Sequence, residues 1–188
     1  MNVDTELIER VRAFVEEECK KPSSKYGYEP YFAHFVPVVD YAKKLAEKMG
    51  ADVEVVILAA WLHDIGSIIY GRENHHITGA EVAEKKLKEL GYPDVKISMV
   101  KKCILNHRGS VETRRESSEE QILAEADAMS HFASIEGLFN AAMIHEGLNQ
   151  LNAKESILNK LTNSYNKLSP IAKEIVKIKY DAVKELLG

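Results

Sequence analysis

The sequence predicts an all-α protein, on three observations. Apolar residues recur at helical spacing almost throughout, and no stretch keeps the alternation of a half-buried strand. Capping residues, Gly and Pro stand where the periodic segments begin and end. The first segment sets Leu7, Val11, Phe14, Val15 and Cys19 on one stripe and stops before the loop KPSSKYGYEP. A second helix runs from about Tyr31 to Met49, with Phe35, Val38, Ala42, Leu45 and Met49 inward and Gly50 closing it. Pro37 is awkward within it, but its cost shrinks if His34 lies in the opening turn, where backbone N–H groups lack intrahelical partners. Asp52 caps a third helix, VEVVILAAWLHD, which is apolar nearly all round and therefore the buried central element. His63 and Asp64 stand at its end, with Ile65 and Gly66 terminating it.

A fourth helix covers about Thr78 to Leu90 and closes at Gly91. Asp94 caps a fifth, with Ile97, Val100 and Ile104 inward, ending near His107 and Gly109. The polar stretch SVETRRESS reads as a loop. Ser117 and Glu120 have the spacing of a capping box and start a sixth helix, which turns Ile122, Leu123, Ala126 and Met129 inward and carries Asp127. Three further amphipathic segments follow, at about 134 to 147, 151 to 168 and 170 to 187, the last opened by Pro170.

Composition narrows the function. A chain of 188 residues with 45% hydrophobic content suffices for one domain with a buried core. With 25 Lys plus Arg against 29 Asp plus Glu, there is no long-range positive field to collect nucleic acid or an acidic membrane. Cys19 and Cys103 have no nearby partners, which fits a reducing compartment and leaves no thiolate metal site. The N-terminal residues MNVDTELIERVRAF carry acids and no apolar leader, and no apolar run approaches the roughly 20 residues that span a bilayer. The expectation is a soluble, cytoplasmic protein with no stable nucleic-acid partner, no membrane association and room for a homodimer.

Seven histidines occur: His34, His63, His75, His76, His107, His131 and His145. Adjacent helical residues point about 100° apart, so His63 and Asp64 can serve one ion only at a helix terminus. An ionised Asp64 emerging from the apolar run Ile57 to Leu62 is costly without a cation or donors, and an acid there opposes the helix dipole. Asp127, among Ala124, Ala126 and Ala128, wants a partner for the same reason.

The order His34, then His63-Asp64-Ile65-Gly66, then Asp127 resembles the H…HD…D pattern of the HD superfamily of metal-dependent phosphohydrolases, over roughly residues 30 to 132. YAKKLAEKMG, AAWLHDIG, HHITGAEVAEKKL and LAEADAMSHF are similar to the family's segments, and the C-terminal LNKLTNSYNKLSPIAKEIVKIKYDAV is similar to uncharacterised HD hydrolases. The resemblance implies an HD-domain helical bundle of about eight or nine helices. It implies a single domain over 1–188, with the metal-site core at about 30–132 and helices of 134–187 packed on it. His34, His63, Asp64 and Asp127 would be metal ligands. Two imidazoles and two carboxylates suit Mn, Fe, Co, Ni, Zn or Mg. Such an ion lowers the pKa of bound water toward about 7 and polarises a phosphoryl oxygen. The expected reaction is hydrolysis of a small phosphorylated substrate, a nucleotide or other phosphate ester, with Asp64 as the catalytic candidate that helps orient the water.

His75, with Gly79 four residues later, and His107 in ILNHRG resemble the extra histidines of two-metal relatives, so one or two ions per chain are expected. Either His75 or His76 would face that second ion or the substrate phosphate. Among Arg72, Lys101, Lys102, Arg108, Arg114 and Arg115, in or beside the loops after the candidate ligands, Arg108 and Arg72 are the choices for substrate phosphate. His131, one turn beyond Asp127, reads as a core or surface histidine, and His145 as exposed. Ser67 stands where many nucleotide-cleaving relatives have Lys, which weakens cyclic-nucleotide cleavage. The alarmone branch's acidic pair is missing after Gly66, and Gly91-Tyr92-Pro93 reads as a helix end. The alternatives are a di-iron HD-type oxygenase, which needs six ligands, and a nucleotide-binding regulatory HD module without turnover.

Overall fold

Every residue from Glu54 to Leu62 is buried, so the most apolar stretch of the chain becomes its centre. A computed structural model describes residues 3–108 and 115–188. Among the described residues all regular structure is helical. The elements are α1 Thr5–Lys20, α2 Val36–Met49, α3 Val53–Leu62, α4 Ile65–Tyr70 and α5 His75–Glu89. They continue with α6 Asp94–Asn106, α7 Ser118–Ser130, α8 Ile135–Asn140, α9 Gln150–Lys167 and α10 Pro170–Leu187. Two single π-helical turns, Tyr31–Phe35 and Ala141–His145, lead into α2 and out of α8. The expected helices are present, and α4 is added to them.

Asp52 caps α3 by accepting from the Val55 N–H at 3.2 Å, and α1, α2, α5, α6 and α7 all pack on α3. Its one buried acid, Glu54, accepts from Asp4 N at 2.7 Å, Tyr92 Oη at 2.9 Å and Lys96 Nζ at 2.9 Å. Tyr92, in the Gly91-Tyr92-Pro93 helix end, therefore serves the core. The stretch Val53–Tyr70 has a mean hydropathy of 1.6 over 18 residues, nearer a membrane span than the sequence reading allowed, but 78% of it is buried inside the protein. Phe14 and Met49, expected inward, are only half-buried.

Three local features differ from expectation and position the site. Ile65 and Gly66 do not end the helical run. His63 closes α3, Asp64 leaves helical geometry at φ −110° and ψ 13°, and α4 starts at once on a new course. Next, α5 opens at His75 rather than near Thr78, after Asn74 in the left-handed region at φ 52°. Finally, Pro37 is accommodated by the π turn, in which Val36 N bonds Tyr31 O. The widened backbone relieves the ring's clash with the carbonyl four residues back and displays His34.

Ser117 caps α7 by accepting from Glu120 N at 3.2 Å, but the Glu120 carboxylate binds Asn106 Nδ2 at 2.7 Å and Glu116 N at 3.4 Å, so only half of the capping box forms. Most of SVETRRESS, at 110–114, lies outside the described residues. The C-terminal helices pack back: α9 lies on α7, α8 and α10, and α10 on α7, where buried Glu125 accepts from Ser169 N and Oγ, both at 2.9 Å.

Gly66 and Gly79 let α4 and α5 touch backbone to backbone. A Cβ on Gly66 would strike the His75 carbonyl and come within 2.6 Å of Gly79 N, neither of which is a flexible side-chain end. Gly66→Ala is accordingly expected to destabilise the protein by about 3 kcal/mol, read from the midpoint of urea unfolding. A change under about 1 kcal/mol would show that this contact does not hold α5 in place.

Candidate metal centre

His34 from the π turn, His63 and Asp64 from the α3–α4 break, and Asp127 from α7 meet in one place. His34 Nε2 lies 2.9 Å from His63 Nε2, 3.5 Å from Asp64 Oδ2 and 3.6 Å from Asp127 Oδ1. His63 Nε2 is 3.8 Å from Asp64 Oδ2 and 4.0 Å from Asp127 Oδ1. Donor atoms about 2.1 Å from a common ion are separated by about 3 to 3.5 Å, so these spacings are those of a coordination shell slightly relaxed. The other oxygen of Asp64 faces a second pair: Oδ1 is 3.3 Å from His75 Nε2 and 3.6 Å from His107 Nε2. Two groups of donors, His34 with His63 and Asp127, and Asp64 with His75 and His107, thus adjoin through one carboxylate.

The imidazoles are aimed by their other nitrogens. Nδ1 of His63 donates to Ala60 O at 2.8 Å, that of His75 to Arg72 O at 2.8 Å and that of His107 to Ile104 O at 2.6 Å. Each acceptor is a carbonyl three residues back, Ala60 and Ile104 in the last turns of α3 and α6, where carbonyls lack intrahelical donors, and Arg72 in the segment before α5. His34 Nδ1 lies 3.1 Å from Ser130 Oγ, whose own proton goes to Asp127 O at 2.7 Å, so the hydroxyl accepts from the ring. All four rings therefore turn Nε2 lone pairs toward the centre.

Two facing lone pairs at 2.9 Å require a cation between them, either a proton or a metal ion. Asp64 Oδ1 states the same need, being buried without a hydrogen-bond partner among the described residues. The donor set fits a divalent ion. About a quarter of the His34, Asp64 and Asp127 side chains remains open to the cleft above, at 24%, 26% and 22% exposure, which leaves room for water or substrate.

Electrostatics follow from burial and crowding. Burial raises the pKa of Asp64, but His63, His107 and His34 outweigh it and hold the carboxyl well below its usual range. Asp127 is lowered likewise, His34 and His63 overcoming burial. Burial pulls His34 and His107 down, yet the two carboxylates prevail and both end raised above 6.5. His63, wholly enclosed, is pushed by burial down to about 4.

The centre forms the floor of a cleft of about 760 Å³, on whose lining Arg72 and Arg108 lie, as does Ser67. His75 turns in. His76 belongs to neither donor group, and its Nδ1 is buried without a hydrogen-bond partner among the described residues. Lys101 is engaged by Glu84, Lys102 is exposed off the cleft lining, and Arg114 lies outside the described residues. Arg115 donates to Asn106 O at 3.1 Å and Arg108 O at 3.3 Å, fastening the backbone beside His107. His145 is exposed at the cleft, edge-on to Tyr26 with ring centroids 5.5 Å apart.

His131 lines the cleft too, its Nδ1 3.0 Å from Ser164 Oγ, and burial followed by Lys160 lowers its pKa to about 3. Sequence reading passed over Lys160, Asn159 and Asn163 of α9, which lie on the same lining. Their three- and four-residue spacing was visible, but such a row ordinarily meets solvent.

The protein is an all-helical bundle in which imidazoles and carboxylates converge from several helices into groups consistent with divalent-metal binding. Residues 31–131, more than half the chain, match the HD domain family, and the chain belongs to that family. Ribonuclease Y of Mycoplasma capricolum is 30% identical over 131 residues, which are 69% of this chain and 22% of that protein. The chain thus spans about a fifth of that relative's length. An HD-superfamily hydrolase of Bacillus thuringiensis shares the fold with a TM-score of 0.73 at 18% identity, covering 97% of this chain and 93% of its own. YpgQ of Bacillus subtilis, solved in complex with ADP, has a TM-score of 0.70 at 18% identity, covering 96% and 93%.

Two pH-dependent outcomes follow. With His34 and His107 raised above 6.5, metal-free protein carries protons there at pH 6.5, and a metal ion must displace them. Calorimetry in buffers of different ionisation enthalpy should show proton release on Mn²⁺ uptake, with affinity rising as pH rises. Absence of release would contradict the protonated pair. His131 works in the opposite sense. Unfolded, it takes a proton near 6.5; folded, it resists until about 3, so the unfolded state binds more protons between these values. Stability should fall as pH drops through that window, and His131→Gln should flatten the slope measured by urea unfolding.

Proposed function

We propose that the protein is a metal-dependent phosphohydrolase that cleaves a small phosphorylated substrate, a nucleotide or other phosphate ester, by metal-activated water. One observation carries the reading: two donor groups joined through Asp64 lie at the floor of a cleft whose walls bear Arg72 and Arg108. His34, His63, Asp127 and Asp64 Oδ2 would hold one divalent ion, and Asp64 Oδ1, His75 and His107 a second. Such ions supply a hydroxide-like water near neutral pH and draw charge from phosphoryl oxygens.

The chain's own residues perform the rest. Asp64 stays ionised, so its part is to ligate and orient rather than to donate a proton. Arg108, beside the backbone that Arg115 fastens, and Arg72 would take the substrate's phosphate oxygens. The cleft volume of about 760 Å³ is within the usual range for small-ligand sites and suits a nucleotide. The ADP complex of the fold neighbour YpgQ supports a nucleotide as the class to try first. The net charge of −4 supports a small molecule over a polyanion.

The six-donor set also favours a second reading, an oxygenase holding two irons. Elemental analysis of purified protein, followed by phosphate-release assays over nucleotides and sugar phosphates with Mn, Co, Ni, Zn and Mg, separates the two. Hydrolysis is expected, and His63→Ala or Asp64→Ala should lose bound metal and cut turnover by about 100-fold or more with helix content retained. Two irons per chain with substrate-dependent O₂ consumption and no phosphate release would replace hydrolysis by oxygenation. Full activity in either variant would remove these residues from the reaction.

A further inference from the structure

The floor of the cleft is built by residues of the HD-matched segment, but one wall comes from outside it. On α9, Ser156, Asn159, Lys160, Asn163 and Lys167 recur at spacings of three and four and so share a face. All of them lie on the same cleft lining as His34 and Asp127. The adjacent row, Ala153, Ile157, Leu161 and Ser164, is buried, which fixes the rotation of the helix and aims the polar row. The hydrogen bond between His131 and Ser164, at 3.0 Å, ties α9 to the segment one turn beyond Asp127.

Lys160 is the distinctive member. It is exposed on the cleft lining, and the protein around it, then the repulsion of Arg72, lowers its pKa against the pull of Asp127, Glu146 and Asp64. As a compact point charge it suits a phosphate whose orientation other groups set. The asparagines beside it carry both donor and acceptor atoms, which match hydroxyl and amide groups rather than hydrocarbon.

We propose that Lys160 binds the substrate's phosphate from the α9 wall, and that Asn159 and Asn163 hydrogen-bond the substrate's non-phosphate part, so that the protein selects nucleotides or sugar phosphates over apolar phosphate esters. This rests on the phosphohydrolase reading. Metal specificity then belongs to the floor, and substrate choice to a helix outside residues 31–131.

The test uses the full chain loaded with Mn²⁺, with calorimetric titration of inorganic phosphate and of ADP, and steady-state assays where turnover is found. Lys160→Ala should weaken inorganic phosphate by about tenfold or more and raise KM more than it lowers kcat, at unchanged metal content and Tm. Lys160→Arg should recover most of the loss. Asn163→Ala should weaken ADP while leaving inorganic phosphate within about twofold of the unsubstituted chain. Phosphate affinity in Lys160→Ala within about twofold of the unsubstituted chain would overturn the role of Lys160 while the phosphohydrolase reading stood. Equal loss of phosphate and ADP in Asn163→Ala would overturn the division of labour on α9. If the unsubstituted chain neither binds phosphate nor releases it from any ester, both readings fall together.

Discussion

A carboxylate at the end of the most apolar helix constrains everything around it. Asp64 follows a segment that is buried on every side, and an isolated charge in such surroundings costs far more than a folded domain can spare. The protein answers by breaking the helix at that residue and surrounding the carboxylate with imidazoles. One oxygen faces His34 and His63, the other His75 and His107. The break supplies the direction, because a continuous helix would carry Asp64 about 100° away from His63. The close approach of Gly66 to Gly79 then brings the start of α5, and with it His75, into reach.

The imidazoles are held by a common device. Three of them donate Nδ1–H to a carbonyl three residues back, satisfying an acceptor that a helix end or turn leaves free, and the fourth uses the Ser130 hydroxyl. Aiming the Nε2 atoms at the centre and completing the backbone hydrogen bonding are thus one act. The same economy appears at Glu54, whose buried carboxylate joins α1, α3 and α6 through Asp4, Tyr92 and Lys96. Buried acids in this protein are junctions between elements, and the centre at Asp64 is the junction left open to solvent.

The cleft divides by origin. Helices within residues 31–131 carry the donor groups, while α8, the second π turn and α9 close the cleft from the C-terminal side. Cations come from both sides, Arg72 and Arg108 from within residues 31–131 and Lys160 from α9, and they share the cleft with the carboxylates and imidazoles of the centre. That pairing suits an anion, and it is assembled from the segment before α5, the end of α6 and α9, which are far apart in the chain.

What could be read from the sequence was whatever depends on neighbours along the chain. Helical periodicity, the Asp52 and Ser117 caps, and the placing of His63-Asp64 at a helix end are short-range facts, while the set His34, His63, Asp64 and Asp127 was marked by its resemblance to the H…HD…D pattern of the HD superfamily. Tertiary structure alone chose His75 over His76, restarted the chain as α4, committed Lys101 to Glu84 and Arg115 to backbone carbonyls, and turned the polar row of α9 into the cleft instead of toward bulk water. The physical reason is the range of the forces involved. A residue's place on its own helix follows from 3.6-residue geometry, whereas the side of the molecule that helix faces is settled by which apolar rows bury each other across the fold.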